Sequence, residues 1–436
     1  MIDQLEQELS QYTVPKTNDD RFITAHYYIE AVSDIQKVAE KVASHQSTAA
    51  GVFAEDTLVN RCSAKVSYVT YLEGEVTKGF AGISFPVELF GEIITSSDIL
   101  HIVSGAVQND ESHHKVFYLI DLEIPEKVLS SFPGPTFGTE LFTTSDLKIG
   151  TIIKPCSGLD AAEYERIVRQ LVQYEELFFI KEDENFFPGF VHCPLSKRAE
   201  IAARVIKESG RNILFAPHIT SPPRQLFKNL EIVASAGLKA VMFSETYYGG
   251  MFREAREYIQ EKNLGLALYA HNGGICTKTK SINRVLLDRF SRLDGGDLRQ
   301  TAPTGEGCYL RPLAWQRGLV EDALNKPLAG KKSTICVRAG GLDQGNLLQN
   351  LHEGKGKFEN YLFLMGSAIN SIKNSKGKYD VSLAIEGIRE IVTLFRVGTQ
   401  LDKPGEVYAY AQTHQLNALV QCLEQRYSLD RLKMVS

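Results

Sequence analysis

From Lys148 onward the chain repeats one rhythm, a short apolar run followed by a longer amphipathic stretch. The apolar runs fall at residues 150–154, 177–180, 212–216, 240–243, 265–269, 297–300, 333–337 and 361–365, the sixth being the faintest. Short runs of this kind read as strands buried on both faces of a parallel sheet. The amphipathic stretches read as helices. The first opens at Asp160 with Glu163 three residues on, a capping-box pair. The third opens at Ser221-Pro222-Pro223, proline being favoured in a first helical turn, and stops at Gly237. Eight strand-helix units in roughly 250 residues predict a TIM (β/α)8 barrel. A doubly wound α/β sheet is the alternative, but it seldom carries eight such regular units.

In either architecture ligands bind at the carboxyl ends of the strands. The second run ends there in a polar cluster, Leu177-Phe178-Phe179-Ile180-Lys181-Glu182-Asp183-Glu184-Asn185. Adjacent carboxylates at 183 and 184 suit a hard cation such as Mg²⁺. A lysine ammonium cannot ligate Mg²⁺, but a lysine carbamate, formed with CO2, is an anionic oxygen donor. The competing reading is an acidic first helical turn, where Asp and Glu are favoured without any metal. Lys154, Lys181, Asp183, Glu184, His218, Glu245, His271, Gln300, Arg338 with Gly340-Gly341, and Gly366-Ser367 all follow strands. A barrel would gather them on one rim.

The region before the barrel reads strand 22–30, helix 33–44, strands 62–72 and 76–87, helix 97–107 and strand 115–123. This β-α-β-β-α-β order is the ferredoxin-like arrangement. Residues 125–147, with Phe132-Pro133-Gly134-Pro135, read as a linker. The expected division is an N-terminal ferredoxin-like domain over 1–135 and a barrel with C-terminal helices over 136–436.

With 436 residues and a net charge of -5, the chain shows no basic footprint for nucleic acid. No apolar run reaches the length of a membrane span, and the acidic start MIDQLEQELS is not a secretory signal. Seven scattered cysteines without a Cys-x-x-Cys predict reduced thiols and a cytoplasmic location.

The motifs resemble those of the large chain of ribulose-bisphosphate carboxylase (RuBisCO) over nearly the whole sequence. Ile152-Ile153-Lys154-Pro155-Cys156-Ser157-Gly158-Leu159 is similar to the family's T-x-K-P-x-x-G-L. Lys181-Glu182-Asp183-Glu184-Asn185 is similar to K-D-D-E-N and is the specific match. Asp294-Gly295-Gly296-Asp297 resembles S-G-G-D, Ala339-Gly340-Gly341 resembles S-G-G, and residues 45–51 weakly resemble E-S-S-T-G-T-W. The resemblance implies a carbamylated Lys181 that holds Mg²⁺ with Asp183 and Glu184. It implies Lys154 as acid/base lysine, His271 as the retained strand-five histidine, and Gly340 and Gly341 as backbone donors to a phosphate or carboxylate. It also implies a homodimer, or a larger oligomer of dimers, with sites shared between subunits.

Departures from the family pattern decide the expected activity. Carboxylation needs a lysine on the loop after strand six, and residues 301–307 contain none. The second strand-one lysine is Cys156. The arginine after the strand-five histidine is Asn272, and the motif's second histidine is Ile275. The strand-six histidine is Gln300, and the serine before the glycine pair is Ala339. At strand eight Leu364-Met365 replace tandem glycines before Gly366-Ser367, and in the N-terminal domain His45 and Asp98 replace a glutamate and an asparagine. The sequence is thus similar to the RuBisCO-like proteins, which do not fix CO2.

The expected function is enolate chemistry without carboxylation. The favoured step is a decarboxylation or other C–C cleavage on a small, singly phosphorylated sugar acid. Asn272, Gln300, Arg338, Gly340, Gly341, Gly366 and Ser367 would bind substrate, with His218 and His271 catalytic beside Lys154 and Lys181. An enolase or isomerase of methionine salvage is one alternative, and a binding or regulatory homologue without catalysis is another. Each new group also has a structural reading. His218 would be hydrogen-bonded in the barrel mouth, Glu245 and Arg338 would form ion pairs, Cys156 would be a packed thiol, and the pair His113-His114 would be solvated.

Overall fold

The computed structural model describes residues 9, 12–49, 57–72, 74–105, 110–142, 146–244, 250–275, 278–305 and 314–433. Glu245 and the end of the loop after strand six, from Glu306, lie outside the described residues. The N-terminal sheet is formed by β1 (Phe22–Ala31), β2 (Lys65–Leu72), β3 (Glu75–Pro86) and β4 (His114–Glu123). Its order is β2-β3-β1-β4, antiparallel throughout. Helices α1 (Ile35–His45) and α2 (Ser96–Val103) cover one face with Ile35, Val38 and Ile99 against Ile23, Tyr27 and Ile83. Asp34 caps α1, and Thr95 with Asp98 forms a capping box on α2. Asp98 is thereby committed to its own helix end. On the opposite face Tyr12 stacks on Phe80 with ring centroids 3.5 Å apart.

Parallel strands β5 (Ile149–Ile152), β6 (Leu177–Lys181), β7 (Leu214–Ala216), β8 (Ala240–Ser244), β9 (Ala267–His271), β10 (Leu298–Thr301), β11 (Ile335–Ala339) and β12 (Tyr361–Met365) form the second sheet. Its order runs β7-β6-β5-β12-β11-β10-β9-β8. The ring closes where His218 bridges to Met242. There the Ile219 N–H donates to the Met242 carbonyl at 2.9 Å and the Met242 N–H to that of Pro217 at 2.9 Å. The surrounding helices are α3 (Ala161–Leu171), α4 (Leu195–Ser209), α5 (Pro223–Ser235), α6 (Met251–Glu261), α7 (Arg284–Leu293), α8 (Ala314–Asn325), α9 (Leu347–Gly354) and α10 (Val381–Arg396). Helices α11 (Pro404–Thr413) and α12 (Asn417–Arg426) follow. None of the described helices is long and apolar enough to cross a membrane. Among the described cysteines, Cys62, Cys156, Cys193, Cys336 and Cys422 are free thiols.

Strand side chains alternate between two cores, as the period-two geometry of a strand requires. Phe179, Ala216, Met242, Tyr269, Leu298, Val337 and Leu364 fill the barrel interior. Ile180, Phe215, Val241, Leu268, Cys336 and Phe363 face the helices. Each fully buried large apolar side chain contributes about 1.5–3 kcal/mol. The faint sixth strand lacks apolar character because its outward Arg299 is buried against Asp288 of α7, at 2.5 Å. Asp297, the aspartate of the Asp294-Gly295-Gly296-Asp297 motif, lies at the amino end of the barrel, away from the mouth. It accepts from the Phe137 and Leu268 N–H groups at 2.8 and 2.9 Å and pairs with Arg256. Gly295 is required there, because a Cβ would lie 2.5 Å from the Arg256 Cγ and the backbone φ is +105°.

Candidate active site at the barrel mouth

Counting outward in steps of two from the interior residues gives the groups that meet at the carboxyl ends. On β6 the series Phe179, Lys181, Asp183 faces inward, and on β9 the series Ala267, Tyr269, His271 does so. Lys154 lies just past β5 and reaches across to β6. Its Nζ pairs with Asp183 and is 2.9 Å from the Cys156 Sγ. Lys181 is buried, with Nζ 3.1 Å from the Glu182 carbonyl, 3.5 Å from the Glu184 Oε2 and 6.0 Å from the centre of the Tyr269 ring. The Glu184 Oε2 is also 3.3 Å from the His271 Nε2. Asp183 Oδ1 accepts from the Asn185 N–H and Nδ2 at 3.1 and 2.9 Å. Lys154, Lys181, Asp183, Glu184 and His271 therefore form one cluster.

Burial pulls the Lys181 ammonium below its ordinary pKa, with the Glu184 and Asp183 charges opposing. Burial also pulls down Lys154, but its bonds to Asp183 and Cys156 outweigh this and hold it protonated. Burial, followed by the Lys181 charge, keeps His271 neutral. Its tautomer follows from its partners. The Gly273 N–H donates to Nδ1 at 3.0 Å, so Nε2 carries the proton that points at Glu184.

His218 is buried beside this cluster, and both ring nitrogens are engaged. Nδ1 donates to the Phe186 carbonyl at 3.3 Å, and Nε2 is 2.5 Å from the Thr220 hydroxyl. Burial lowers its pKa to about 4. This is the structural alternative for that residue. Asn272 donates to the Gln300 carbonyl at 2.7 Å, while its buried Oδ1 has no hydrogen-bond partner. Gln300 accepts from the Tyr269 hydroxyl at 3.4 Å. Gly340 and Gly341 both have φ of +97°, a conformation open to glycine. Gly366 and Ser367 follow β12, and a Cβ on Gly366 would lie 3.0 Å from the Ile152 Cδ1.

Arg338 is not at the mouth, which corrects its expected place among the substrate-binding residues. It occupies an outward position on β11, between the interior residues Val337 and Ala339. Its guanidinium meets Glu321 at 2.9 Å, Glu353 at 2.9 Å and the Asn350 Oδ1 at 3.1 Å, and it lies 4.8 Å from the centre of the Tyr361 ring. Asn350 also holds the start of the loop after β10, accepting from the Thr304 N–H at 2.9 Å and donating to its carbonyl at 2.8 Å.

One residue at the site carries a role that the motif reading did not assign. Glu182, the second residue of the specific motif, points away from the mouth and is fully buried. It accepts from the Tyr164 hydroxyl at 2.6 Å, the Arg198 Nε at 2.8 Å and the His218 N–H at 3.0 Å. Arg198 in turn donates to the Cys193 and Phe186 carbonyls at 2.6 and 3.2 Å. The loop that presents Asp183 and Glu184 is thus tied from behind. Its parity, opposite to that of Lys181 and Asp183, was the available signal.

Among the described residues no group of three His, Cys, Asp or Glu side chains is arranged to hold a metal ion. Asp183 and Glu184 supply two carboxylates. A third anionic oxygen would have to come from Lys181, whose buried amine near Glu184 fits carbamate formation.

A family model for the ribulose bisphosphate carboxylase large chain, catalytic domain, matches residues 135–311. A Rhizobium etli protein named 3-oxo-isoapionate-4-phosphate decarboxylase is 26% identical over 80% of this chain and 88% of its own length. The octameric RuBisCO of Pyrococcus horikoshii superposes with a TM-score of 0.77 at 20% identity, covering 96% of each chain. A rubisco-like protein from Burkholderia fungorum does so with a TM-score of 0.75 at 21% identity, covering 93% of this chain and 99% of that one.

Proposed function

We propose that the chain, whose residues 135–311 match the model of the RuBisCO large-chain catalytic domain, is a non-carboxylating, Mg²⁺-dependent lyase. Its substrate would be a singly phosphorylated β-keto sugar acid, which it would decarboxylate. The convergence of Lys154, Lys181, Asp183, Glu184 and His271 at one barrel mouth carries this reading. The name of the Rhizobium etli relative supports the substrate class.

Carbamylated Lys181, Asp183 and Glu184 would hold the Mg²⁺. When bound, the ion supplies Lewis-acid polarisation of the substrate's keto group. Asp183 fixes the Lys154 ammonium at the mouth. As the bond to the substrate carboxylate breaks, its electron pair moves toward the keto oxygen and CO2 leaves. The Lys154 ammonium then donates a proton to the carbon that lost CO2 and is left as the neutral amine. His271, with its proton fixed on Nε2, orients Glu184. Asn272, Gln300, Gly340, Gly341, Gly366 and Ser367 would line the substrate, whereas Arg338 has no part in it. The working unit proposed is a cytoplasmic homodimer or an oligomer of dimers, for which the octameric structural neighbour is a precedent.

Calorimetric Mg²⁺ binding and CO2 release from a β-keto sugar-acid phosphate test the proposal. Lys181→Ala should abolish both, and unchanged turnover would overturn it. The same groups suit proton abstraction from a methylthio-keto-sugar phosphate. Solvent proton exchange without CO2 release would establish that second reading. A protein that binds no Mg²⁺ and turns over neither substrate would instead be a binding homologue.

A further inference from the structure

The strands β11 and β12 are neighbours, and the loops leaving them begin with Gly340-Gly341 and Gly366-Ser367. Arg426, the last residue of α12, reaches both loops. Its Nε is 3.4 Å from the Asp343 Oδ2, and its Nη1 is 3.2 Å from the Ser367 Oγ. Its Nη2 has no hydrogen-bond partner among the described residues, and the side chain is 24% exposed. Asp343 does not depend on this guanidinium. Its Oδ1 already accepts from the Tyr427 hydroxyl and the Gly345 N–H, each at 2.8 Å. Tyr427 is seated closely, since a Cβ on Gly345 would lie 2.7 Å from its ring. The result is an anchored guanidinium at the rim with one edge left open. Lys154 and Lys181, by contrast, are engaged by Asp183 and Glu184. The positions where the family pattern carries an arginine and a histidine are the neutral Asn272 and Gln300.

We propose that Arg426 is a specificity-determining residue that binds the phosphate monoester of the substrate, with Ser367 beside it, between the β11 and β12 loops. A planar guanidinium meets a phosphate with two parallel hydrogen bonds, which an ammonium cannot reproduce. Tyr427 and Asp343 position it, so specificity at the mouth depends on a helix outside the barrel. This inference rests on the sugar-acid phosphate reading.

Calorimetry of the full chain with inorganic phosphate tests it independently of turnover. Arg426→Gln should weaken phosphate binding about tenfold or more, and Arg426→Lys should recover part of the loss. With a phosphorylated β-keto sugar acid, Arg426→Gln should raise KM about tenfold while kcat falls far less. No phosphate binding by the parent, or equal affinity in a folded Arg426→Gln protein, would overturn the inference. A tenfold loss of phosphate affinity in a protein that releases no CO2 would uphold Arg426 as an anion site and remove only the decarboxylase reading.

Discussion

At the end of β6 a buried lysine stands beside Asp183 and Glu184, and at the end of β11 a buried arginine stands between Glu321 and Glu353. The charges are alike, but the saturation is not. Arg338 spends its donors on two carboxylates and an amide, and its flat face lies over Tyr361. Lys181 has one carbonyl at 3.1 Å and one carboxylate at 3.5 Å, on a side of the strand that opens to the mouth. A buried ion pair in which every guanidinium nitrogen is bonded is a structural element. A buried amine with few partners has its pKa lowered by burial, toward the neutral form that can react. The parity of one strand position separates the two cases.

The comparison can be broken or sharpened by substitution. The largest effect is expected at the mouth. Lys154→Met should reduce CO2 release about 10³-fold, as loss of a general acid does, with the thermal midpoint little changed. Equal loss of midpoint and turnover would make Lys154 structural. Next comes Arg338→Met, which strands two carboxylates behind β11. It should lower unfolding free energy by about 3 kcal/mol, measured by urea titration, and leave Mg²⁺ affinity unchanged. A fully stable variant with lost turnover would return Arg338 to the site.

A smaller effect is expected from pH through His218. Its folded pKa of about 4 lies below the ordinary value of 6.5, so the unfolded chain binds the extra proton first. Stability should therefore be intact above pH 6.5 and fall as the pH drops toward 4, by about 2 kcal/mol between pH 7 and pH 5. His218→Asn should flatten that slope, and an unchanged slope would mean that His218 is not held neutral. The smallest effect is expected from Glu353→Gln, at about 1 kcal/mol, because Glu321 still meets Arg338 in that variant.

Much of this architecture was legible before any coordinates. Eight apolar runs located the eight barrel strands, and the Lys181-to-Asn185 motif marked the strand end where the cluster forms. The reading failed where side-chain direction decides the outcome. Arg338 follows an apolar run just as Lys181 does, but the two sit at opposite parity, and a list of residues after strands does not record parity. Glu182 was hidden for the same reason, as one carboxylate among three. Arg426 was invisible for another. It lies some sixty positions beyond Ser367 in the chain, and only the packing of α12 brings it back to the rim.

Asn350 joins two parts of the wall that also meet through Glu353, which accepts from the Thr304 hydroxyl at 2.6 Å. The Asn350 Oδ1 is shared between the Arg338 guanidinium and the Thr304 N–H, so the ion pair behind β11 and the first turn after β10 adjust together. Sequence drift on the outer helices α8 and α9 would therefore reshape the entrance without altering any group that meets a ligand. Relatives with the same mouth residues would then differ in what they admit, and the cause would lie on the far side of the strand.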